Sequence, residues 1–418
     1  MRVRSVAATG CLLTALALGV AACGGNDNGG GGGGSSSSGG RTTLTIYSSL
    51  PLQGDSRPQS ESVVNGEKLA LEEAGGKVGK FKITYKSLDD ATAAAGKWEP
   101  GQTSADARKA AQDPSTIAYL GEFNSGASAI SLPITNEAGI LQVSPSNTYV
   151  GLTRAEGADK GEPDKYYPSG KRTFGRVVPA DHIQAAAQVS YMKDNGVTKL
   201  YILNDKEVYG KGIADQVEKL AGAQGIKVLG NDGIDTKAAN FRALASKIKG
   251  AGADGFFFGG ITQNKGVQVF KDVAASNPDI KMFGPDGVAE SAFSEKLGSK
   301  VEKNVYITNP TLDPKEYPPA AQDFFKEFKA KYGKDPEPYA IYGYEAMSIV
   351  LEAIKNAGDK GGDRQAVVDE LFKIKGRESV LGTYDIDENG DTTLSDYGGN
   401  RIEGGKLVFD KVIKAQTS

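Results

Sequence analysis

Residues 117–143, IAYLGEFNSGASAISLPITNEAGILQV, decide the fold. Ile117–Gly121 is an unbroken apolar run of strand length, the pattern of a strand covered on both faces. Ala127–Glu137 follows with small and apolar residues at helical spacing. Ile140–Val143 is a second short apolar run. A strand, a helix and another strand in so few residues form the unit of a parallel sheet, because parallel neighbours need a crossover.

Working upstream, Thr42–Ser48 (TTLTIYS) alternates as a strand. Ser60–Ala74 places Val63, Val64, Leu69, Ala70 and Leu71 at helical spacing. Phe81–Ser87 reads as a strand and Thr103–Gln112 as a helix. Four strands with three intervening helices predict a doubly wound sheet. Downstream, Thr148–Arg172 breaks the rhythm with Gly, Pro and charge. A second series then begins. Helices are expected at Asp181–Asp194, Gly212–Ala223, Asn240–Lys249 and Thr262–Ala275. Strands are expected at Lys199–Leu203, Ile226–Leu229, Gly255–Phe258 (GFFF) and Ile280–Phe283. Beyond them come Asn304–Thr308, helices at Ala320–Tyr332 and Tyr339–Asn356, and short β pieces near Gly382–Ile386 and Lys406–Val412. That tail is too small for a third domain and completes the first two. The expected fold is α/β: two doubly wound lobes with parallel sheets and a cleft between them, where ligands bind beyond the carboxyl ends of strands.

The chain has 418 residues, 55 of them glycine, with 2 cysteines, 1 histidine and 1 tryptophan. Its 49 basic and 52 acidic residues give a formal charge of -3, so no broad basic surface for nucleic acid is implied. One histidine argues against a multi-histidine metal centre and leaves few options for a histidine triad. There is no G-x-S-x-G elbow, P-loop or H-E-x-x-H motif.

The first forty residues read as address and tether. Arg2 and Arg4 precede an apolar stretch, Cys11–Val20, too short to span a bilayer. Val20-Ala21-Ala22-Cys23 looks like a bacterial lipobox, in which Cys23 takes the lipid and residues 1–22 are removed as a signal peptide. Residues 23–40 then form the lipidated cysteine and a Gly/Ser tether (GGNDNGGGGGGSSSSGG over Gly24–Gly40), a composition that buries no apolar surface. The expected localisation is extracytoplasmic, held at the bacterial cell membrane through the lipid anchor alone.

Other candidates are weaker. His182 opens a helix, where a lone histidine is more often a surface or capping residue than a base. Asp385–Asp391 (DIDENGD), with Asp396 at the twelfth place, matches an EF-hand loop, yet its flanks are β-like and its twelfth residue is not Glu. Its other reading is a hairpin turn. Asp89-Asp90 and Asp363-Arg364 read as solvated charge pairs. Trp98, in a polar insertion, is either a lid or a packed loop residue.

Six segments in order carry a resemblance: LPLQGDSRPQSESVVNG with EKLALEEAGG (50–76), LGEFNSGAS (120–128), AGILQVSPSNT (138–148), NDKEVYGKG (204–212), FFFGG (256–260) and FGPDGVA (283–289). Together they resemble the leucine/isoleucine/valine-binding protein family, the type I periplasmic solute-binding proteins of ABC transporters, over about residues 42–418. The resemblance implies two lobes, 41–176 plus 310–396 and 177–309 plus 397–418. Three hinge crossings would lie near Gly175–Pro179, Tyr306–Pro310 and Ser395–Asn400. It implies capture of an amino-acid head group. Ser125 and its neighbouring amides at a helix N-terminus would take the carboxylate; Ser146 and Thr148 would supply a backbone carbonyl, a hydroxyl and an amide to the same head group; Asp286 would pair with the ammonium; Tyr209 would close from the second lobe. Plainer readings stand beside these: a helix cap for Ser125, turns for Thr148 and Asp286, packing for Tyr209. Where branched-chain binders carry apolar residues this chain has Gln59, Asn124 and Asn147, while Phe123 and Tyr339 keep some apolar wall and Ile261 replaces a common aromatic. Amides make poor neighbours for a leucine side chain, so the expected ligand has a polar or extended side group or is not a standard α-amino acid. The partner implied is an ABC permease, the oligomeric state a monomer, and no cofactor or metal is required. A sensor feeding a signalling partner is the alternative; an enzyme or a structural lipoprotein on the same scaffold is the remoter rival.

Overall fold

The computed structural model describes residues 42–415. The signal, Cys23 and the tether lie outside the described residues.

The first sheet holds β1 (Thr43–Leu50), β2 (Lys77–Val78), β3 (Phe81–Asp89), β4 (Thr116–Leu120), β5 (Leu141–Ser144) and β6 (Phe174–Arg176), in the order β2-β3-β1-β4-β5-β6. Every neighbouring pair is parallel except β2–β3. Helices α1 (Arg57–Glu73), α2 (Pro100–Gln112) and α3 (Ser125–Glu137) make the crossovers. The chain then leaves for a second sheet through β7 (Lys199–Asn204), β8 (Lys227–Gly233), β9 (Gly255–Gly259), β10 (Lys281–Gly284) and β11 (Val305–Asn309). These alternate with α4 (Asp181–Asp194), α5 (Val208–Ala223), α6 (Arg242–Gly250), α7 (Gly266–Ser276), α8 (Ser291–Leu297) and α9 (Ser299–Glu302). It returns to cover the first sheet with α10 (Pro319–Tyr332), α11 (Ala340–Asn356), α12 (Arg364–Phe372) and the small hairpin β12 (Arg377–Ser379) and β13 (Gly382–Tyr384). It ends in the second sheet as β14 (Asp396–Glu403) and β15 (Lys406–Lys414), giving the order β15-β14-β11-β10-β9-β7-β8. The chain therefore passes between the sheets three times. The last two strands run antiparallel, which the expectation of parallel sheets omitted.

Each lobe has its own core. Leu44 and Ile46 of β1 and Ile117 and Leu120 of β4 pack with Ile349 and Val350 of α11 and Leu371 of α12, all essentially inaccessible. Burying such a side chain contributes about 1.5–3 kcal/mol relative to leaving it in water. In β9 the GFFF run is split by the period of two. Phe256 and Phe258 enter one cluster, edge-on to Phe270, and Phe257 enters the cluster on the opposite face.

Several surface expectations are corrected. Asp89 accepts from the amides of Leu52 and Ala91 and from Gln53 Nε2, so it folds the β1–α1 loop rather than facing water. Asp90 is fully buried with no partner for its carboxyl among the described residues. Burial, then Glu122 and Asp106 nearby, hold that carboxyl well above the usual range, so it is kept neutral. Asp363 caps α12 by accepting from Ala366 N at 2.8 Å. Arg364 donates to the carbonyls of Thr116 (2.8 Å), Ala138 (2.9 Å) and Asp113 (3.2 Å), tying α12 to the rim of the first sheet. Trp98 is buried and lies against Gly126 of α3, the packed reading. The Asp385–Asp391 segment is a turn. Asp387 and Asp391 both pair with Arg154, and Asp391 also pairs with the buried Arg176 at 2.8 Å. No cluster able to hold a metal ion occurs among the described residues.

Candidate functional site

The carboxyl ends of the parallel strands converge on one cavity of about 30 Å3. From the first lobe, the turn after β1 leads into α1 and brings Ser56 and Gln59; the turn after β4 brings Phe123, Asn124 and Ser125; the turn after β5 brings Ser146. From the second lobe, the start of α5 brings Tyr209, the turn after β9 brings Ile261 and Gln263, and the turn after β10 brings Asp286, Gly287 and Glu290. Tyr339, just before α11, completes the wall.

One end of the cavity is built for an anion. Asn124 is the N-cap of α3 but makes no side-chain capping bond, and its Oδ1 is buried without a partner. The first-turn amides of Ser125 and Gly126 and the helix dipole favour negative charge there. Ser125 Oγ accepts from Tyr149 N at 3.3 Å, and Ser146 Oγ donates to the Phe123 carbonyl at 2.9 Å, so both hydroxyls are held against this turn.

The opposite end is acidic. Asp286 Oδ1 accepts from the Tyr209 hydroxyl at 2.6 Å, and its Oδ2 accepts from the Tyr339 hydroxyl. Gly287 N donates to the Tyr209 oxygen at 3.1 Å, fixing that ring. Burial raises the Asp286 carboxyl, and the two tyrosines draw it back. Burial, then Asp286, pushes both phenols well above their ordinary value. No lysine or arginine pairs with Asp286 or Glu290 among the described residues. Glu290 accepts from Gln263 Nε2 at 3.0 Å, and burial pushes it up to about 8. Asp205 shapes this end from behind by accepting from Ile261 N and Asn264 Nδ2, which fixes the loop after β9.

Eight of the expected residues line the cavity: Gln59, Phe123, Asn124, Ser125, Ser146, Tyr209, Asp286 and Tyr339. Two do not. Asn147 donates to the Phe123 carbonyl and accepts from Ser128, so its amide braces the turn from behind. Thr148 is buried outside the lining, and its carbonyl accepts from Asp181 N at the start of α4. Gln59 is also engaged, accepting from Tyr339 N at 3.3 Å, and Phe123 meets the Tyr339 ring edge-on at 5.8 Å. Ser56, Gln263, Gly287 and Glu290 were missed. The signal for them was position alone, at or just past a strand's carboxyl end. His182 lines a separate cavity of about 530 Å3, and burial followed by Arg154 pushes it down to about 4.

The lobes are joined across this cavity by further bonds. Lys97 donates to Asn264 Oδ1 at 2.8 Å, and Lys296 pairs with Asp55 at 2.7 Å. Away from it, beside the His182 cavity, Gln216 of α5 donates to the Gly157 carbonyl at 3.0 Å.

The sequence profile described as "Periplasmic binding protein" matches residues 43–406. A Leu/Ile/Val-binding protein homolog 1 of Brucella suis biovar 1 is 28% identical over 352 residues, covering 83% of this chain and 87% of that one. In structure, the chain is similar to a leucine binding protein from Thermotoga maritima, with a TM-score of 0.77 at 23% identity over 89% of this chain and 99% of the other. It is also similar to an ABC transporter solute binding protein from R. palustris in complex with benzoate, with a TM-score of 0.74 at 20% identity over 90% and 97%.

Proposed function

Because the chain belongs to the periplasmic binding protein family, in the branch of the leucine/isoleucine/valine-binding proteins, we propose that it is the substrate-binding lipoprotein of an ABC importer and captures an amino acid or amino-acid-like solute. The family is extracytoplasmic and its members bind solutes rather than convert them, so this chain is a binding protein and not an enzyme. Among the described residues no helix is long and apolar enough to cross a membrane.

The observation that carries the amino-acid reading is the opposed polarity of one cavity. An uncapped helix N-terminus with Ser125 and Ser146 lies at one end, and the buried, cation-free carboxyl of Asp286 at the other. A zwitterionic head group satisfies both ends at once. Each charge-assisted bond in such a site contributes about 1.5–3 kcal/mol. In this reading Ser125, Ser146 and the α3 amides take the carboxylate. Asp286 takes the ammonium with Tyr209 beside it, and Gln59, Phe123, Asn124 and Tyr339 form the remaining wall. Asn147 and Thr148 support the wall without touching the solute.

Mechanism follows from two bodies and three connections. Solute settles on one lobe, the other swings over it, and the closed population rises. The closed pair is what a permease then meets. We assign residues 1–22 to the signal peptide, 23–40 to the lipidated Cys23 and tether, and the lobes to 41–176 plus 310–396 and 177–309 plus 397–418. The protein would act as a monomer at the outer face of the cell membrane.

The test is to denature the purified protein, identify the released small molecules by mass spectrometry, and titrate them back by calorimetry. A stoichiometric amino acid whose binding is lost in Asp286→Ala supports the reading. A released compound without an ammonium, or binding indifferent to Asp286, overturns the amino-acid assignment.

A further inference from the structure

We propose that Glu290 is a specificity-determining residue which reserves part of the cavity for an N–H donor on the solute's side chain, a carboxamide or an ammonium, and disfavours a branched alkyl group. The proposal rests on the amino-acid reading above and deepens it.

Glu290 stands four residues beyond Asp286 and lines the same cavity. It is 4% exposed and forms no ion pair among the described residues. It occupies the N-cap position of α8, yet its side chain makes no capping bond with that helix. Its carboxyl turns instead to Gln263, whose Nε2 donates to Oε1 at 3.0 Å. Oε2 takes no hydrogen bond among the described residues. Glu337, held near by its contact with Ser291 N, and Asp55 add negative potential around the carboxyl, while the hydroxyl of Thr262 and the amide of Gln263 favour its charged form. Burial outweighs these and pushes the group up to about 8.

A carboxyl that is 4% exposed and has no basic neighbour favours a solute that brings a donor to it. Asp286 already has two tyrosine donors and is assigned the head group. Glu290 has the Gln263 amide and the Thr262 hydroxyl beside it but no cation and no assigned role, so the cavity contains a second acidic acceptor beyond the one assigned to the head group. The rest of this wall carries the same demand. Gln59, Asn124 and Gln263 are amides, and Oδ1 of Asn124 is buried without a partner. A leucine side chain would cover these groups and pair with none, whereas a terminal amide or ammonium would donate to Glu290. Sites built to hydrogen-bond reject the analogue lacking the polar group strongly, because their own buried groups are then left unpaired.

The experiment uses the full-length protein purified in mild detergent, with calorimetric titration of leucine, isoleucine, glutamine, asparagine, lysine and ornithine. The wild type, Glu290→Leu, Glu290→Gln and Asp286→Asn are compared, each checked for a cooperative melting transition. The expected result is that at least one N–H-bearing amino acid binds the wild type tenfold or more tighter than leucine. Glu290→Leu weakens that solute tenfold or more and tightens leucine; Glu290→Gln loses less. Preference for glutamine or asparagine assigns the donor as a carboxamide, and preference for lysine or ornithine assigns an ammonium. Leucine binding as tightly as any polar solute, or both Glu290 variants weakening every solute by one common factor, overturns the proposal and leaves head-group capture standing. Absence of binding for all six overturns the amino-acid reading itself and this proposal with it. Asp286→Asn distinguishes the two, since it weakens all bound amino acids alike if the head-group assignment holds.

Discussion

Tyr339, which packs with the first lobe, donates its hydroxyl to the carboxyl of Asp286 in the second. The same carboxyl accepts from Tyr209 of its own lobe. One acidic group is thus shared between a partner on its own lobe and a partner on the other, which the proposed opening would remove.

That sharing predicts a shift in the open–closed balance. Tyr339→Phe keeps the edge-on contact with Phe123 and removes only the bond to Asp286. A bond of this kind contributes roughly 1–2 kcal/mol. The solute-free variant should populate the open form more, read as a larger radius of gyration by small-angle scattering. An unchanged profile would show that the bond does not hold the lobes together.

Stability should fall as the solution becomes mildly alkaline. Glu67 is fully buried beneath Tyr85, whose hydroxyl bonds one carboxyl oxygen while the other has no partner. Burial pushes it from 4.5 up to about 8. A carboxyl whose folded value exceeds its unfolded one contributes stability in full below about 4.5, and this is lost as pH rises through about 8. Glu122 behaves alike, raised by burial to about 8. The melting temperature should decline from pH 5 to pH 8.5, and Glu67→Gln should flatten that decline. Asp391 acts in the other direction. Burial raises it, but Arg176 and Arg154 more than offset this and leave it lowered. Its contribution is lost on acidification, so the optimum should lie near pH 5.

Arg176 should be the costliest single charge to remove. It is fully buried, donating to Asp391 at 2.8 Å, to the carbonyls of Asn147 (3.1 Å) and Tyr149 (2.8 Å), and to Thr153 Oγ1 at 2.5 Å. It thereby pins the loop after β5 and the returning chain to one point. Arg176→Met removes all four bonds and leaves Asp391 with Arg154 alone, and breaking a buried pair costs about 3–5 kcal/mol. Urea unfolding should register a loss of that size; a loss below about 1 kcal/mol would show that the network relaxes around the change.

Helices α1 and α11 meet through glycines. A Cβ on Gly66 would sit 2.2 Å from the Ala340 carbonyl oxygen, and one on Gly343 would sit 2.4 Å from that of Val63. Neither backbone atom can step aside without moving a helix. Gly66→Ala should therefore destabilise by about 1–3 kcal/mol despite alanine's better helix propensity. A stabilised variant in thermal melts would contradict this packing.

The architecture was legible because buried parallel strands write themselves as apolar runs, as Ile117–Gly121 and Gly255–Phe258 do. What failed were places where a short element carries charge. β6 has only three residues and buries Arg176, so nothing apolar announced it beyond Phe174. Helix α12 is nine residues long, and its apolar face spans little more than one turn at Val367, Val368 and Leu371. Asp90 and Arg364 read as solvated because sequence does not show which loop folds over a charge. Much of the site was legible through its family pattern. The family pattern puts Asn147 at a pocket position, yet adjacent residues on a turn point in different directions, and here Ser146 lines the cavity while Asn147 does not. Glu290 was missed because its role depends on Gln263, brought to it from a separate strand end.

The returning helices α10–α12 bear on how this protein comes into being. Leu44, Ile46 and Leu120 share their core cluster with Ile349, Val350 and Leu371, which lie beyond β7–β11 in sequence. The first lobe therefore cannot complete its core while the chain is still being made. It must wait, half-covered, until the second lobe's sequence has passed, whereas β7–β11 and their helices are contiguous and free to settle first. Contacts of such long sequence separation close slowly. A chain cut short after β11 would leave the first lobe with an apolar face uncovered, and would also deny the second sheet its last two strands, β14 and β15.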